Sequence, residues 1–142
     1  MRISDVLRGK GADVATVDPG TTVAGLIRAL AQHNVGALVV VDGDAVVGIV
    51  SERDIVRRLD ERGGDLLNAT VADIMTAEVV TCGPEDSVDS LAATMTERRI
   101  RHMPVVVNGK LTGIVSIGDV VKVRISQLET DRDQLQSYIA QG

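Results

Sequence analysis

Two near-identical phrases, GIVSERD at Gly48–Asp54 and GIVSIGD at Gly113–Asp119, lie in one chain. They keep the glycine, the serine and the aspartate while the residues between serine and aspartate change. Extended outward without a gap, the match carries Thr16–Val56 onto Thr81–Val121, setting Thr16 on Thr81, Pro19 on Pro84, Val23 on Val88, Leu26 on Leu91 and Val40 on Val105. The segments ahead of each copy also correspond. ISDVL (Ile3–Leu7) parallels VADIM (Val71–Met75), although the stretch that follows the first, RGKGADVAT, is longer than its counterpart TAEVVT. The chain is an internal duplication. A unit of about 60 residues buries too little surface to stand alone, so two must pack into one module.

Within each copy the hydrophobic period changes in a fixed order. DVATV reads as a short strand. TTVAGLIRALAQHN carries Val23, Leu26, Ile27 and Leu30 at helical spacing behind a threonine cap. GALVVVDGDAVVGIV holds two β-branched runs around Asp42-Gly43-Asp44, a hairpin signal, and SERDIVRRLDERGG opens on serine and closes on glycine as a second helix does. The second copy repeats the order with EVVTC, SVDSLAATMTERR, MPVVV, a turn at Asn108-Gly109, KLTGIVS and a helix from about Ile117. Each unit is β-α-β-β-α. Pro104 has no N–H to give, so it belongs at the first residue of its strand or at an edge.

Composition narrows the class. The chain has 142 residues, 44% hydrophobic and 25% charged, the balance of a globular domain. Tyr138 is its only aromatic residue, so the core must be built from Val, Ile, Leu, Ala and Met. With no stacking rings and a net charge of −5, nucleic acid is not an expected partner. The longest apolar runs, ALVVV and AVVGIV, have strand length, so neither a membrane span nor a signal peptide is expected. Cys82 is the sole cysteine and can form no internal disulfide; a cytoplasmic location is the expectation.

The duplicated β-α-β-β-α order, the segments HNVGALVVVDGDAVVGIVSERDI and RRIRHMPVVVNGKLTGIVSIGDV, and the Gly-Ile-Val-Ser-x-x-Asp ending of each resemble the cystathionine-β-synthase (CBS) domain family, in particular its tandem pairs, the Bateman modules. The resemblance covers nearly all of residues 1–125. It implies an α/β (α+β) fold in which two repeats, 1–65 and 66–125, pack sheet to sheet as a pseudo-two-fold pair of three-stranded sheets, with 126–142 as a helical extension. It also implies a regulatory module, not an enzyme. Two clefts between the repeats would bind an adenosine derivative: AMP, ADP or ATP, with NAD or S-adenosylmethionine as further candidates. No cofactor is required.

The repeated phrase then carries chemistry. A strand ending at Val50 and a helix starting after Ser51 set backbone N–H groups and a hydroxyl at a helix N-terminus, where the partial positive charge favours a phosphate; Ser116 repeats the arrangement. By motif, Asp54 and Asp119 inherit the family's ribose-binding aspartate. Ser-x-x-Asp has a second reading, since it is also a capping box, in which the acid bonds back to the N–H of the cap and stabilises the helix by roughly 1 kcal/mol. Backbone groups near Gly36, Ala37 and Leu38, and near Arg101, His102 and Met103, would read the adenine edge. The resemblance further implies shared clefts, one using Asp119 with Thr16 and Arg101, the other Asp54 with Thr81 and Cys82. Arg53 can pair with a phosphate while Glu52 opposes one, so the Asp119 cleft is expected to favour a charged nucleotide. The basic cluster of Arg98, Arg99 and Arg101 is either a phosphate partner or a solvated helix end.

Catalysis finds little support, because two histidines and one cysteine in separate settings make no zinc set, and a cysteine in a first strand is more often a small apolar core residue. The alternative function is a ligand-free dimeric interaction module with vestigial clefts. Beyond the second repeat, Val121, Ile125, Leu128, Arg132, Leu135 and Ile139 alternate at coiled-coil spacing with one polar interruption. A helix of about 30 Å there outruns one small module, so a homodimer is expected; the other reading folds it back on its own sheet. With no output domain in sight, a separate effector protein is an expected partner.

Overall fold

The computed structural model describes residues 1–11 and 13–141. In chain order the elements are α1 (Ile3–Lys10), β1 (Thr16–Val17), α2 (Val23–His33), β2 (Ala37–Asp42), β3 (Ala45–Ser51), α3 (Glu52–Arg62), a 3-10 turn (Gly63–Asn68), α4 (Val71–Ile74), α5 (Val88–Arg98), β4 (His102–Val107), β5 (Lys110–Ser116) and α6 (Ile117–Gln141). The expected mixed α/β pair of repeats with a long final helix is what forms. Local chemistry explains most boundaries. Thr22 accepts the Gly25 N–H and Ser87 the Ser90 N–H, capping α2 and α5. Both hairpins close through two residues: Asn108 and Gly109 have φ of 53° and 79°, as a type I′ turn requires, while Gly43 supplies φ 63° at the other.

The sheets are unequal. β1, β2 and β3 make a three-stranded sheet, with β1 parallel to β2 and β2 antiparallel to β3. β4 and β5 make a hairpin that the EVVTC segment joins through a single parallel bridge, Cys82 to Val105, so the second expected three-stranded sheet is reduced to two strands. Pro104 is the cause. It stands where Val39 pairs with Thr16, and without an N–H it cannot extend the ladder, although its carbonyl still accepts the Cys82 N–H at 3.0 Å. It lies inside β4 rather than at its first residue, on the side of the strand that carries this single bridge.

Two apolar cores form, and each is completed by the other repeat's lead-in. Val71 and Ile74 of α4 are buried with Val23, Leu26, Leu38 and Val50 of the first repeat. Ile3 and Val6 of α1 are buried with Leu91, Met95, Met103 and Val115 of the second. Backbone bonds fix the exchange: Val23 N–H to Ala69 O and Val71 N–H to Thr21 O at 2.8 Å on one side, Ile3 N–H to Asp86 O at 2.9 Å and Val88 N–H to Met1 O at 3.0 Å on the other. The packing units therefore cut across the sequence repeats.

The outer part of α6 covers neither core. Ile125, Leu128, Leu135 and Ile139 are all more than half exposed, so the helix does not fold back on its own sheet.

Candidate functional site

The last residues of β3 and the first turn of α3 form one wall of a cavity of about 390 Å³. The opposite wall comes from the second repeat's lead-in, Thr76 to Val80, and from Arg99 to His102 at the entry to β4. Gly36 and Ala37 close it at the entry to β2. Its volume lies in the range of small-ligand pockets. Ile49, Val50, Val79, Val80 and Ile100 give it an apolar floor, while Ser51, Asp54, Arg53, Arg99, Arg101 and His102, together with the acidic Glu52 and Glu78, bring polar groups to it. The cleft is thus shared between repeats, because the exchanged lead-in lies against β3: Thr76 and Ile49 trade backbone bonds of 2.9 and 3.0 Å.

The two readings of Ser-x-x-Asp turn out to be compatible. Ser51 N–H and its hydroxyl both donate to Asp54 Oδ2, at 2.8 and 3.1 Å, and the Asp54 N–H reaches Ser51 Oγ at 3.4 Å. Asp54 is therefore a capping carboxylate. Both donations from Ser51 fall on Oδ2, which leaves Oδ1 to accept hydroxyls from a ligand. The helix terminus is a poorer anion site than its sequence suggests. Its Glu52 N–H is given to the Gly36 carbonyl at 3.0 Å and its Asp54 N–H to Ser51, so a phosphate must rest chiefly on arginine side chains.

At the second copy, Ser116 N–H donates to Asp119 Oδ2 at 2.9 Å and Asp119 N–H to Ser116 Oγ at 3.2 Å. A further group is present here: Lys10 Nζ donates to the same Oδ2 at 2.7 Å. Burial pushes the Asp119 carboxyl up, but the hydrogen bond from Lys10, those from Ser116 and the charge of Lys10 outweigh it, and the group titrates below the ordinary aspartate value. His102 lies between the copies. Burial, with the charges of Lys10 and Arg101 acting in the same direction, holds its pKa below the usual histidine value against Asp119 and Glu52.

Several expected placements change. Arg101, assigned to the Asp119 cleft, lines the Asp54 cavity together with His102 and Arg99. Arg98 does not; it ends α5, as a solvated helix end would. Thr81 does not line that cavity but stays exposed, and Thr16 is likewise exposed on β1. Cys82 is buried in the second core, its thiol donating to Pro104 O at 3.6 Å. Burial, then the Asp86 carboxylate, push that thiol up to about 11, so it stays protonated at neutral pH. Of the two grounds for expecting the Asp119 cleft to favour a charged nucleotide, Arg101 faces Asp54 instead, while Glu52 lines the Asp54 cavity as expected. Thr76, Glu78, Val79 and Val80 escaped the sequence reading. The match between VADIM and ISDVL pointed to them, but not to the repeat they would face.

A shared cleft between two β-α-β-β-α repeats defines a paired-repeat ligand or regulatory module. The CBS domain model matches residues 3–61 and 71–126, and the chain belongs to the CBS-domain family. It is 38% identical over 151 residues to the mitochondrial CBS domain-containing protein CBSX3 of Arabidopsis thaliana, covering 99% of this chain and 72% of that protein. Among solved structures it is similar to the CBS-domain protein ATU1752 of Agrobacterium tumefaciens (42% identity, TM-score 0.85, 87% of this chain and 99% of that one). It is also similar to the CBS domain pair of MJ0100 in complex with 5′-methylthioadenosine and S-adenosyl-L-methionine (26% identity, TM-score 0.80, 89% and 98%). Paired CBS domains are regulatory modules, and the matched relatives are generally small CBS-domain proteins, although one is an inosine-5′-monophosphate dehydrogenase of Korarchaeum cryptofilum, matched at 37% identity over 22% of its length. Among the described residues no cluster of His, Cys, Asp and Glu could hold a metal ion, and no helix is long and apolar enough to cross a membrane.

Proposed function

We propose that this protein is a sensor of an adenosine-containing ligand, with the Asp54 cavity as its primary site. The observation that carries the reading is the juxtaposition in one cavity of the Asp54 carboxylate with an unspent oxygen, an apolar floor and three arginines that face Glu52 and Glu78. Asp54 Oδ1 would accept ribose hydroxyls, the floor would take the adenine, and Arg53, Arg99 and Arg101 would take phosphate, which favours AMP, ADP or ATP over adenosine. The complex of MJ0100 with two adenosine derivatives supports the ligand class. Occupancy would be transmitted as a change in how the two repeats pack, since the cavity walls come from both.

Calorimetry with AMP, ADP, ATP, NAD, S-adenosylmethionine and adenosine tests the reading. At least one should bind, and Asp54→Asn should weaken it by about tenfold or more through loss of the ribose acceptor. If Asp54→Asn binds as wild type does, Asp54 is a cap alone; if no ligand binds, the module is a ligand-free interaction domain.

The exposed apolar row on α6 supports assembly as a homodimer. Arg132, the polar member of that row, is paired with Asp133 on its own helix, Nη2 to Oδ1 at 3.0 Å, so the interruption does not bring an unpaired cation to a helix pair. A distinct effector protein as the regulated partner is part of the same proposal.

A further inference from the structure

The repeats keep the same serine–aspartate cap but differ in what reaches it. The first lead-in is the longer one. It extends α1 to eight residues, Ile3–Lys10, where α4 has four, Val71–Ile74. The additional turn brings Lys10 over the end of β5, where Nζ donates to Asp119 Oδ2 at 2.7 Å and to the Ile114 carbonyl at 2.9 Å. In the other copy the carbonyl corresponding to Ile114 is that of Ile49, and it receives the backbone N–H of Thr76 at 2.9 Å. An ammonium has thus taken the place of a backbone donor, and it has brought a charge to one carboxylate and not to its twin.

From this geometry we infer that Lys10 is the specificity-determining residue of the second cleft, closing it to neutral nucleosides and opening it to ligands that carry a phosphate. The inference rests on the reading of the clefts as nucleotide sites. The lysine and aspartate side chains are 34% and 21% exposed, shielded enough that their bond is only partly screened. A sugar hydroxyl competing for Asp119 must displace a charge-assisted bond and leave the ammonium without its partner. A neutral nucleoside offers nothing in exchange. A nucleoside phosphate offers an anion to the released Nζ, so the exchange of partners becomes nearly even.

The test uses the full chain with the first cavity silenced by Asp54→Asn, and reads AMP and adenosine affinities by calorimetry. In that background Lys10→Met should strengthen adenosine binding by about tenfold and weaken AMP binding by a similar factor, reversing the preference. Lys10→Gln, which keeps an N–H for the Ile114 carbonyl but no charge, should move the ratio in the same direction and guards against a loss of fold in the methionine variant. An AMP-to-adenosine ratio unchanged in both variants, while the otherwise wild-type protein still binds through Asp54, overturns the role of Lys10 and leaves the sensor reading standing. Absence of binding in every variant and in wild type overturns both.

Discussion

A methyl group on Gly113 would lie 2.7 Å from Leu7 Cδ2 and 3.0 Å from Leu7 Cδ1, so the glycine of the second repeat is the seat of the first repeat's lead-in helix. Its twin is built alike, since a Cβ on Gly48 would meet Met75 Sδ at 2.5 Å and the Thr76 carbonyl at 3.1 Å. The repeated Gly-Ile-Val-Ser therefore encodes two contacts at once: a bare backbone for a visiting helix and a cap for the helix that follows. Gly113→Ala should cost about 1–3 kcal/mol through overpacking. In urea unfolding, the double variant Gly113→Ala, Leu7→Ala should lose about 0.5 kcal/mol or more less than the sum of the single losses. Strict additivity would mean that the two residues do not press on one another.

Arg101 is expected to discriminate by charge rather than by base. Arg101→Gln should weaken AMP binding by about tenfold and adenosine binding by less than about threefold, because the lost group meets phosphate alone. Equal losses for both ligands would place Arg101 against the base or sugar instead.

His102 makes stability depend on mild acid. Its folded pKa lies below the unfolded value of 6.5, so the unfolded chain binds the proton first; the contribution is fully present above pH 6.5 and is lost as pH falls below that value toward the folded pKa. Groups facing it are Lys10, Arg101, Asp119 and Glu52. His102→Gln should flatten the melting temperature between about pH 5 and 6.5. Asp119 acts in a separate window. Its pKa is lowered from 3.8, so its contribution is present above that value and lost as pH falls below it. A wild-type slope retained in His102→Gln would assign the acid response to another group.

Leu128 and Leu135 are 67% and 61% exposed in the single chain, so Leu128→Asp with Leu135→Asp should disturb the monomer by no more than about 1 kcal/mol in all. Sedimentation should nevertheless show the proposed dimer lost, since unpaired carboxylates would enter the helix seam. A dimer that survives both substitutions is held elsewhere, and the α6 row is then not its interface.

The architecture was readable because duplication supplies its own control: two copies of Gly-Ile-Val-Ser-x-x-Asp, two threonine- or serine-capped helices and two hairpins each confirm the other. The weakness of the second sheet was not legible: Pro104 was expected at the first residue of its strand or at an edge, and it lies inside β4. The site was less readable for a geometric reason. Register tells which residues correspond, such as Thr16 with Thr81, but not which repeat a lead-in will visit, since ISDVL and VADIM carry the same apolar pattern and fit either core. That one undetermined choice moved the cavity wall from Thr81 and Cys82 to Thr76–Val80 and brought Arg101 to Asp54. Lys10 was visible only as a difference in length between two linkers, and no local pattern says where a lysine at the end of a short helix will reach.

The exchange of lead-in helices also sets the order in which the chain becomes whole. α1 is synthesised roughly a hundred residues ahead of the β5 glycine that seats it, about 5–20 s at ordinary ribosomal rates. Eight residues cannot hold a helix in water through that interval. The first repeat meets no such delay, because α4 follows it directly and its core can close while the second repeat is still being made. Ile3 and Val6, made well before β5, are thus among the last to be buried, and a ribosome stalled before β5 would display a finished half-module with a loose apolar segment ahead of it.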